Sequence, residues 1–195
     1  MCNLYRMARA QEEVARLFGA RQAGPSNVGE LVYPGYSGMV VAGGELRSMA
    51  WGFPLTLKGS SRPRPVNNAR ADKLNSGFWR SSFRERRCLI PMEAFAEAEG
   101  PKGRKTRTWL SLPDRSVFTC AGIWRDSAEW GPAYSMVMTD AAKATAEVHD
   151  RVPVILSSGD EDRWLNGSPD DALALCRPWT EPITIKRTDE RWVHR

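Results

Sequence analysis

The chain has 195 residues, of which 42% are apolar and 26% are charged, and it carries a formal net charge of +5 with a pI near 9.2. These values are ordinary for a globular protein long enough to bury a core, and they favour one domain over residues 1–195. They exclude a membrane-spanning class, because no stretch approaches the roughly 20 apolar residues that a spanning helix needs.

The first residues, MCNLYRM, place a cysteine directly behind the initiator methionine. Methionine is generally removed when the next residue is small, which would leave Cys2 with a thiol and a free α-amine on adjacent carbons. Both groups have ordinary pKa values within a unit or two of neutral pH. The alternative is that the cysteine is incidental. Arg6, Arg9 and Glu12 interrupt the apolar residues that follow, so no signal peptide is expected and the protein is predicted to be cytoplasmic.

The other cysteines are spread widely, at Cys88, Cys120 and Cys176, without a C-x-x-C pair. In a cytosolic chain this spacing indicates free thiols, and Cys88 and Cys120 lie in apolar runs typical of buried positions. Only two histidines are present, and neither has metal-ligand spacing from a cysteine. The sequence therefore predicts no metal and no cofactor.

A helix is predicted over 10–20, where Val14, Leu17 and Phe18 recur at helical spacing. Residues 31–53 resemble short strands separated by Pro-Gly and Gly-Gly turns. The next elements predicted are a loop over 57–70, a short helix over 77–87 and a strand at 88–91. Further strands are predicted at 106–112, 116–124, 133–139 and 182–188, and short helices at 159–167 and 169–176. The sum is an α+β fold, a single compact domain with a strand-rich meander or barrel-like sheet and short peripheral helices.

Four segments are more polar than their apolar surroundings require. They are the N-terminus, VNNARAD with Asn67 and Asn68, PMEAFAEAEG with Glu97, and EVHDRVPVIL with His149. Each has a structural alternative: the asparagines shape a turn, Glu97 lies on a solvated edge, and His149 is a hydrogen-bonded structural histidine. A surface ion pair is the alternative for Asp150 and Arg151.

Basic residues cluster in three places within fifty residues, at 61–65, 79–87 and 102–107. Each cluster alone is typical of a solvated loop. Together they favour an anionic partner, for which nucleic acid is the first candidate.

With Cys2, these segments resemble the SOS-response-associated peptidase family, the abasic-site processing proteins. The resemblance extends from residue 1 to about 165 and depends on eight short motifs in the family's order. They are Met1-Cys2, Trp51-Gly52-Phe53-Pro54, Asn68-Ala69-Arg70, Trp79-Arg80, Arg86-Arg87-Cys88-Leu89-Ile90-Pro91, Phe95-Ala96-Glu97, Ala121-Gly122-Ile123-Trp124 and His149-Asp150-Arg151-Val152-Pro153-Val154-Ile155-Leu156.

The chain departs from the family pattern at three places. Asn3 and Leu4 stand where the family has Gly-Arg after the cysteine, and Arg6 and Arg9 are the candidates to replace that arginine. Asn68-Ala69-Arg70 is followed by Ala71-Asp72 instead of Ser-Glu. Alanines at 94, 96 and 98 surround Glu97 where the family has Gly-Phe-Tyr-Glu-Trp.

The resemblance implies a partner, single-stranded DNA that contains an abasic site. The open deoxyribose carries an aldehyde, which condenses with the 1,2-aminothiol of an N-terminal Cys2 to a thiazolidine. The resemblance further implies that Glu97 acts as general acid and base, that His149 assists ring opening, and that Asn68 orients the amine or the sugar. Arg70, Arg80 and Arg151 are expected to hold phosphates, and Trp51 either stacks on a base or lies in the core.

Two other functions stay open at this point. One is a non-covalent module that binds single-stranded DNA and has lost the chemistry. The other is a cysteine hydrolase or peptidase that uses Cys2 with His149. The protein is expected to be a monomer, located at the nucleoid when it is bound to DNA. Self-processing is expected to be limited to the removal of Met1.

Overall fold

The computed structural model describes residues 1–192. The strands in chain order are β1 Tyr5–Arg6, β2 Arg21–Gln22, β3 Leu31–Val32, β4 Ser37–Ala42, β5 Glu45–Trp51, β6 Phe53–Leu55, β7 Arg64–Val66, β8 Asn68–Arg70, β9 Arg87–Met92, β10 Ala94–Glu99, β11 Thr106–Ser111, β12 Phe118–Ser127, β13 Gly131–Asp140, β14 Arg151–Pro153, β15 Ile155–Leu156 and β16 Thr184–Arg191. The helices are α1 Gln11–Leu17, α2 Arg80–Glu85, α3 Lys143–Ala146, α4 Glu161–Asn166 and α5 Pro169–Ala174, and Ala71–Lys73 form a 3₁₀ turn.

Five strands close into a barrel in the order β13-β12-β9-β4-β5. Its antiparallel pairs are completed by one parallel pair, in which β5 meets β13 at Ala50 opposite Ala133 and Trp51 opposite Tyr134. Closure leaves these strands without an open edge along the pairing. The predicted class, a strand-rich α+β domain with a barrel-like sheet and short helices, is confirmed.

A second sheet, in the order β16-β11-β10-β1-β3, carries the start of the chain. Tyr5 of β1 lies opposite Phe95 of β10, and the Ala96 N–H donates to the Leu4 carbonyl at 2.9 Å. Continuing this antiparallel register brings the first three residues alongside the end of β10 that carries Glu97.

β13 positions two further segments beside the barrel. β8 adds to it in parallel at Met136–Met138, and β14 adds in antiparallel fashion at Met138–Asp140. The residues of β8 and the residues just before β14 are thereby fixed at the same end of β13, although about eighty positions separate them in the sequence.

The loop predicted over 57–70 is wrong in its second half, which contains β7 and β8. β7 forms a hairpin with β6, and its Pro65 is tolerated because that two-stranded sheet has free edges. β8 forms by pairing with distant β13, and local propensity contains no signal for such a pairing.

Helices of four to seven residues are marginally stable in isolation. Side chains fix the ends of three of these helices. Ser168 and Asp171 form a capping box at the start of α5. The buried guanidinium of Arg87 donates to carbonyls at the ends of α2 and α4, among them Phe83 and Trp164.

Trp51 belongs to the core, and its predicted stacking on a DNA base is wrong. Its side chain is fully buried, stacks on Tyr134 and takes the edge of Tyr5, and its Nε1 donates to the Asn67 carbonyl. The hydroxyls of Tyr5 and Tyr134 share a buried hydrogen bond of 2.5 Å directly against the backbone of Gly38.

Gly38→Ala is expected to destabilise the protein, because the added Cβ would overlap both tyrosine hydroxyls. Overpacking of a close-packed core lowers the free energy of unfolding by about 1–3 kcal/mol. Urea unfolding should show this as a lower midpoint at an unchanged slope. Gly159→Ala is the control, since a Cβ there meets no atom of the described residues within 4 Å. Equal midpoints for the two variants would contradict this account of the core.

Candidate active site at the N-terminus

The second residue of the chain is anchored by two side-chain amides. Asn67 Nδ2 and Asn68 Nδ2 donate to the Cys2 carbonyl at 3.1 and 2.8 Å, and Asn67 also donates to Asn3 Oδ1 at 3.0 Å. Cys2 itself is fully buried, and its thiol donates to the Leu4 carbonyl at 3.5 Å. The start of the chain is therefore held at a defined place.

The terminal amine lies between an imidazole and a carboxylate. The Met1 nitrogen is 2.5 Å from His149 Nε2 and 3.4 Å from Glu97 Oε2. The structure thus brings together the four residues that the sequence marks as catalytic candidates: Cys2, Asn68, Glu97 and His149.

Glu97 extends from β10 and is only 2% exposed. Burial is the main cause that raises the pKa of its carboxyl to about 7, and the nearby α-amine opposes this shift. The solvated-edge alternative for Glu97 is wrong, because its side chain is almost completely buried and contacts the N-terminal amine. At neutral pH the carboxyl is therefore divided between its two protonation states.

His149 follows the turn after α3, and its backbone N–H donates to the Thr145 carbonyl at 3.1 Å. Its Nδ1 lies 2.7 Å from Asp150 Oδ1 and 3.0 Å from the Arg151 N–H. Partial burial, followed by the adjacent α-amine, lowers the pKa of the imidazole. The ring is therefore neutral near pH 7, and it is oriented by the residues that follow it.

Burial, with a smaller contribution from Glu97, raises the pKa of the Cys2 thiol well above its ordinary value. The thiol is protonated at neutral pH in this chain. It therefore lacks the thiolate character on which a cysteine nucleophile depends.

Two buried acceptors at the site have no hydrogen-bond partner among residues 1–192: Asn68 Oδ1 and Glu97 Oε1. Buried polar atoms are nearly always hydrogen-bonded, and an exception needs an explanation. Both atoms belong to side chains that contact the first two residues of the chain, so the site can accept donors from a bound molecule.

The three predicted phosphate-binding arginines are placed differently. Arg70 and Arg151 flank the end of β13, opposite Met138 and Asp140, and both line a surface depression of about 290 Å³. Arg70 is exposed and forms a two-pronged ion pair with Asp72. Because Arg70 is two residues after Asn68 on one strand, the two side chains share a face, about 7 Å apart along the chain.

Arg80, the first residue of α2, is exposed, and its Nε donates to the Asn75 carbonyl at 3.2 Å. Arg6 and Arg9, the candidates to replace an arginine after the cysteine, both pair with Glu93, and Arg6 also lies over the Trp109 ring. Arg80 thus lies at the surface without an ion pair among the described residues, whereas Arg6 and Arg9 share the carboxylate of Glu93.

Sequence reasoning missed two contributors to the site. Asn67 was recognised only as part of a polar segment, yet it holds both Cys2 and Asn3. For Asp150 the sequence offered only the alternative of an ion pair with Arg151, but Asp150 pairs with His149, while Arg151 Nε lies 3.9 Å from Asp140. The available signals were the doubled asparagine and the carboxylate next to a histidine.

The thiols of Cys88 and Cys120 are free and buried, as predicted. Within the part of the chain that the structure describes, no group of three or more His, Cys, Asp or Glu side chains is arranged to hold a metal ion. The helices in that part are also too short or too polar to cross a bilayer.

The fold and the site together define a strand-rich α+β protein built on a closed barrel. Polar side chains of the site surround its N-terminal amine. The chain belongs to the SRAP family, described as SOS response associated peptidase, whose model matches residues 1–191. This confirms the resemblance found in the sequence.

Curated relatives include abasic site processing proteins of Bacillus subtilis. YoqW is 30% identical over 148 residues, which cover 69% of this chain and 64% of YoqW. YoaM is 29% identical over 144 residues, covering 69% of this chain and 63% of YoaM. The match thus spans less than two thirds of the length of these relatives.

Solved structures share the fold. A protein from Bacteroides thetaiotaomicron superposes with a TM-score of 0.83 at 21% identity, over 95% of this chain and 91% of that one. A protein from Bordetella bronchiseptica superposes with a TM-score of 0.82 at 22% identity, over 96% and 99%. At these identities the likeness concerns the fold alone.

The raised pKa of Glu97 predicts that ionisation of this carboxyl destabilises the fold as pH rises. The unfolded chain ionises near pH 4.5 and the folded chain near pH 7, so stability is lost across that window. Glu97→Gln has no charge to bury. Its stability relative to wild type should therefore increase by about 2–3 kcal/mol between pH 5 and pH 8.

Urea unfolding of both proteins at the two pH values measures this change. Glu85→Gln, at an exposed position of α2, is the matched control and should show a constant difference from wild type. A constant difference for Glu97→Gln as well would contradict the buried position of that carboxyl.

Proposed function

We propose that this protein captures abasic sites in single-stranded DNA by forming a thiazolidine between the damaged sugar and Cys2, after removal of Met1. Family membership and relatives named abasic site processing proteins support DNA lesion processing in general. The proposal includes a monomer that acts on DNA in the cytoplasm.

One observation carries the proposal: the N-terminal amine lies within contact distance of both His149 and Glu97, while two asparagines hold the next carbonyl. A chain start with only a structural role needs no carboxyl and no imidazole beside its amine. Removal of Met1 would place the Cys2 amine at the start of the anchored segment and make room for a sugar next to Glu97 and His149.

The reaction would begin with opening of the deoxyribose ring: the neutral imidazole of His149 takes the proton of the C1′ hydroxyl, the bond from C1′ to the ring oxygen breaks, and the imidazolium returns the proton to that oxygen. The Cys2 amine then attacks C1′ of the aldehyde, and the carbinolamine loses water to give a C=N bond. Finally the thiol adds across that bond: sulfur joins C1′ and its proton moves to nitrogen. No oxidant, reductant or metal enters the balance.

Glu97 suits both proton transfers in the first condensation. It would accept a proton from the attacking amine and return one to the departing oxygen, and a pKa of about 7 makes both states available. The protonated Cys2 thiol fits the same order of events, since it adds only after the imine has formed.

The geometry speaks against the hydrolase alternative. A cysteine hydrolase needs a thiolate activated by a neighbouring base. In this chain the Cys2 thiol donates to a backbone carbonyl, and His149 Nε2 contacts the α-amine instead. The buried carboxyl beside an amine likewise has no use in a non-covalent binding module.

Arg70, Arg80 and Arg151 would contact phosphates on either side of the lesion. Arg70 and Arg151 follow Asn68 and His149 by two residues each, so they continue from the reacting groups onto the surface. Such contacts position the strand without reading its sequence.

The first test mixes protein that begins at Cys2 with a single-stranded oligonucleotide carrying one abasic site, followed by a denaturing gel. A heat-stable shifted band is expected, absent in Cys2→Ala and formed about 10²–10⁴ times more slowly in Glu97→Gln. Cys88→Ala removes another thiol, buried on β9 outside the site, and should still form the band. A stable band that persists in Cys2→Ala would refute the thiazolidine.

The second test concerns the phosphate contacts. Arg70→Gln should weaken binding to undamaged single-stranded DNA and flatten the plot of log affinity against log salt by about 0.7, the value for one lost phosphate contact. Fluorescence anisotropy at several salt concentrations measures both effects.

Arg163→Gln is the matched control, since Arg163 is also exposed and paired with an aspartate, Asp171, but lies on α4. The same loss of slope in both variants would remove Arg70 from the DNA-binding surface.

A further inference from the structure

The amine that contacts His149 and Glu97 in this structure belongs to Met1, and Met1 is 47% exposed, whereas Cys2 is fully buried. We propose that the chain beginning at Met1 has an activity of its own: it cleaves DNA at abasic sites through an imine with the Met1 amine. This inference rests on the proposed function, because it uses the same substrate at the same site.

The covalent connectivity separates the two activities. In a chain that begins at Cys2, amine and thiol stand on adjacent carbons and close a five-membered ring. In a chain that begins at Met1, the peptide bond lies between the reacting amine and the thiol, so closure would need a strained ring of medium size. The Cys2 thiol also donates to the Leu4 carbonyl, and the asparagines fix its residue. The imine formed by Met1 would therefore remain open.

His149 lies beside the Met1 amine, where it can act as a base. His149 Nδ1 has two neighbours, the Asp150 carboxylate, which favours a proton there, and the Arg151 N–H, which favours a lone pair. With the proton on Nδ1, Nε2 accepts a proton from the amine. With the proton on Nε2, the ring donates to the lone pair of the amine. The first tautomer supports attack, because its Nε2 takes the proton that the amine releases and leaves the lone pair of the amine free.

The proposed cleavage needs no reactant other than the protein, the DNA and water. The amine and the C1′ aldehyde condense and release water. A base then removes one proton from C2′, the electron pair of that C–H bond forms the C2′=C3′ double bond, and the C3′–O bond breaks, so that the 3′ phosphate leaves with its electron pair. Water hydrolyses the unsaturated imine and regenerates the amine.

Glu97 is the candidate for the base that takes the C2′ proton. Its Oε2 lies 3.4 Å from the Met1 nitrogen, and C2′ would be two bonds from that nitrogen once the imine has formed. Its Oε1 is buried without a partner among the described residues, so one oxygen is left for the sugar. A carboxyl that transfers protons during crosslink formation in one form of the chain would thus promote strand scission in the other.

The test compares two proteins released from the same cleavable N-terminal fusion, one beginning at Met1 and one at Cys2. Each is incubated with abasic single-stranded DNA with and without sodium cyanoborohydride, which reduces an imine to a stable amine. The Met1 chain should give a trapped adduct only with the reductant, and cleaved strands without it, at least about tenfold above the Met1 chain with an acetylated amine.

Three variants of the Met1 chain sharpen the comparison. Cys88→Ala should cleave within about threefold of the unsubstituted Met1 chain, because that thiol is buried on β9, outside the site. Glu97→Gln and His149→Ala should each cleave at least about tenfold more slowly, with circular dichroism confirming the fold. Unchanged cleavage in Glu97→Gln and His149→Ala would overturn the inference.

The two proposals fail separately. If the Met1 chain neither traps nor cleaves above its acetylated control, the inference is wrong, whatever the Cys2 chain does. If the Cys2 chain gives no crosslink without the reductant, the proposed function is wrong. The inference about the Met1 chain is then still decided by comparing that chain with its acetylated control.

Discussion

The hydrogen bonds from two adjacent asparagine side chains to one carbonyl are the constraint on which the site depends. A chain terminus pays a large entropy cost when it is fixed, and termini are usually among the least ordered parts of a domain. Here Asn67 and Asn68 hold the Cys2 carbonyl, and β1 begins only three residues later. The asparagines are themselves held, because β8 pairs in parallel with β13 of the barrel. The barrel therefore fixes the position of the N-terminal amine, through β8 and the two asparagines.

Burial on β10 of the second sheet determines the chemical character of Glu97. A carboxyl with a pKa near 7 requires removal from water, and a removed charge costs stability when it ionises. This cost arises at Glu97. The α-amine beside the carboxyl limits it, because the amine opposes the rise in the pKa of that carboxyl. Burial has the opposite effect on the pKa of His149: it lowers the pKa of the imidazole and keeps the ring neutral. An acid that is half-ionised and an imidazole that is neutral at one pH can exchange protons in both directions, as a condensation requires.

Much of the fold could be predicted because the relevant patterns are local. Apolar β-type runs bounded by turn residues indicated β11, β12 and β13, and Val14, Leu17 and Phe18 indicated α1. β8 was missed because its partner lies some seventy residues away. Trp51 was assigned to DNA on the strength of a motif, and only packing shows that Tyr5 and Tyr134 enclose it. The site residues were found by resemblance, but their convergence comes from pairings of β8, β10 and β14 that no local pattern contains.

The departures from the family pattern have a structural reading. Leu4 stands where the family has an arginine, and it is fully buried, so this position contributes packing and no charge. Asn3 stands in place of a glycine, and its Oδ1 accepts from Asn67, which extends the amide anchor by one more bond. The segment after Cys2 is therefore better tied to the protein and offers no positive charge of its own. Under the proposed function, contacts to a phosphate backbone would therefore come from arginines elsewhere, and Arg70 and Arg151, which follow Asn68 and His149 by two residues each, are the candidates that adjoin the site.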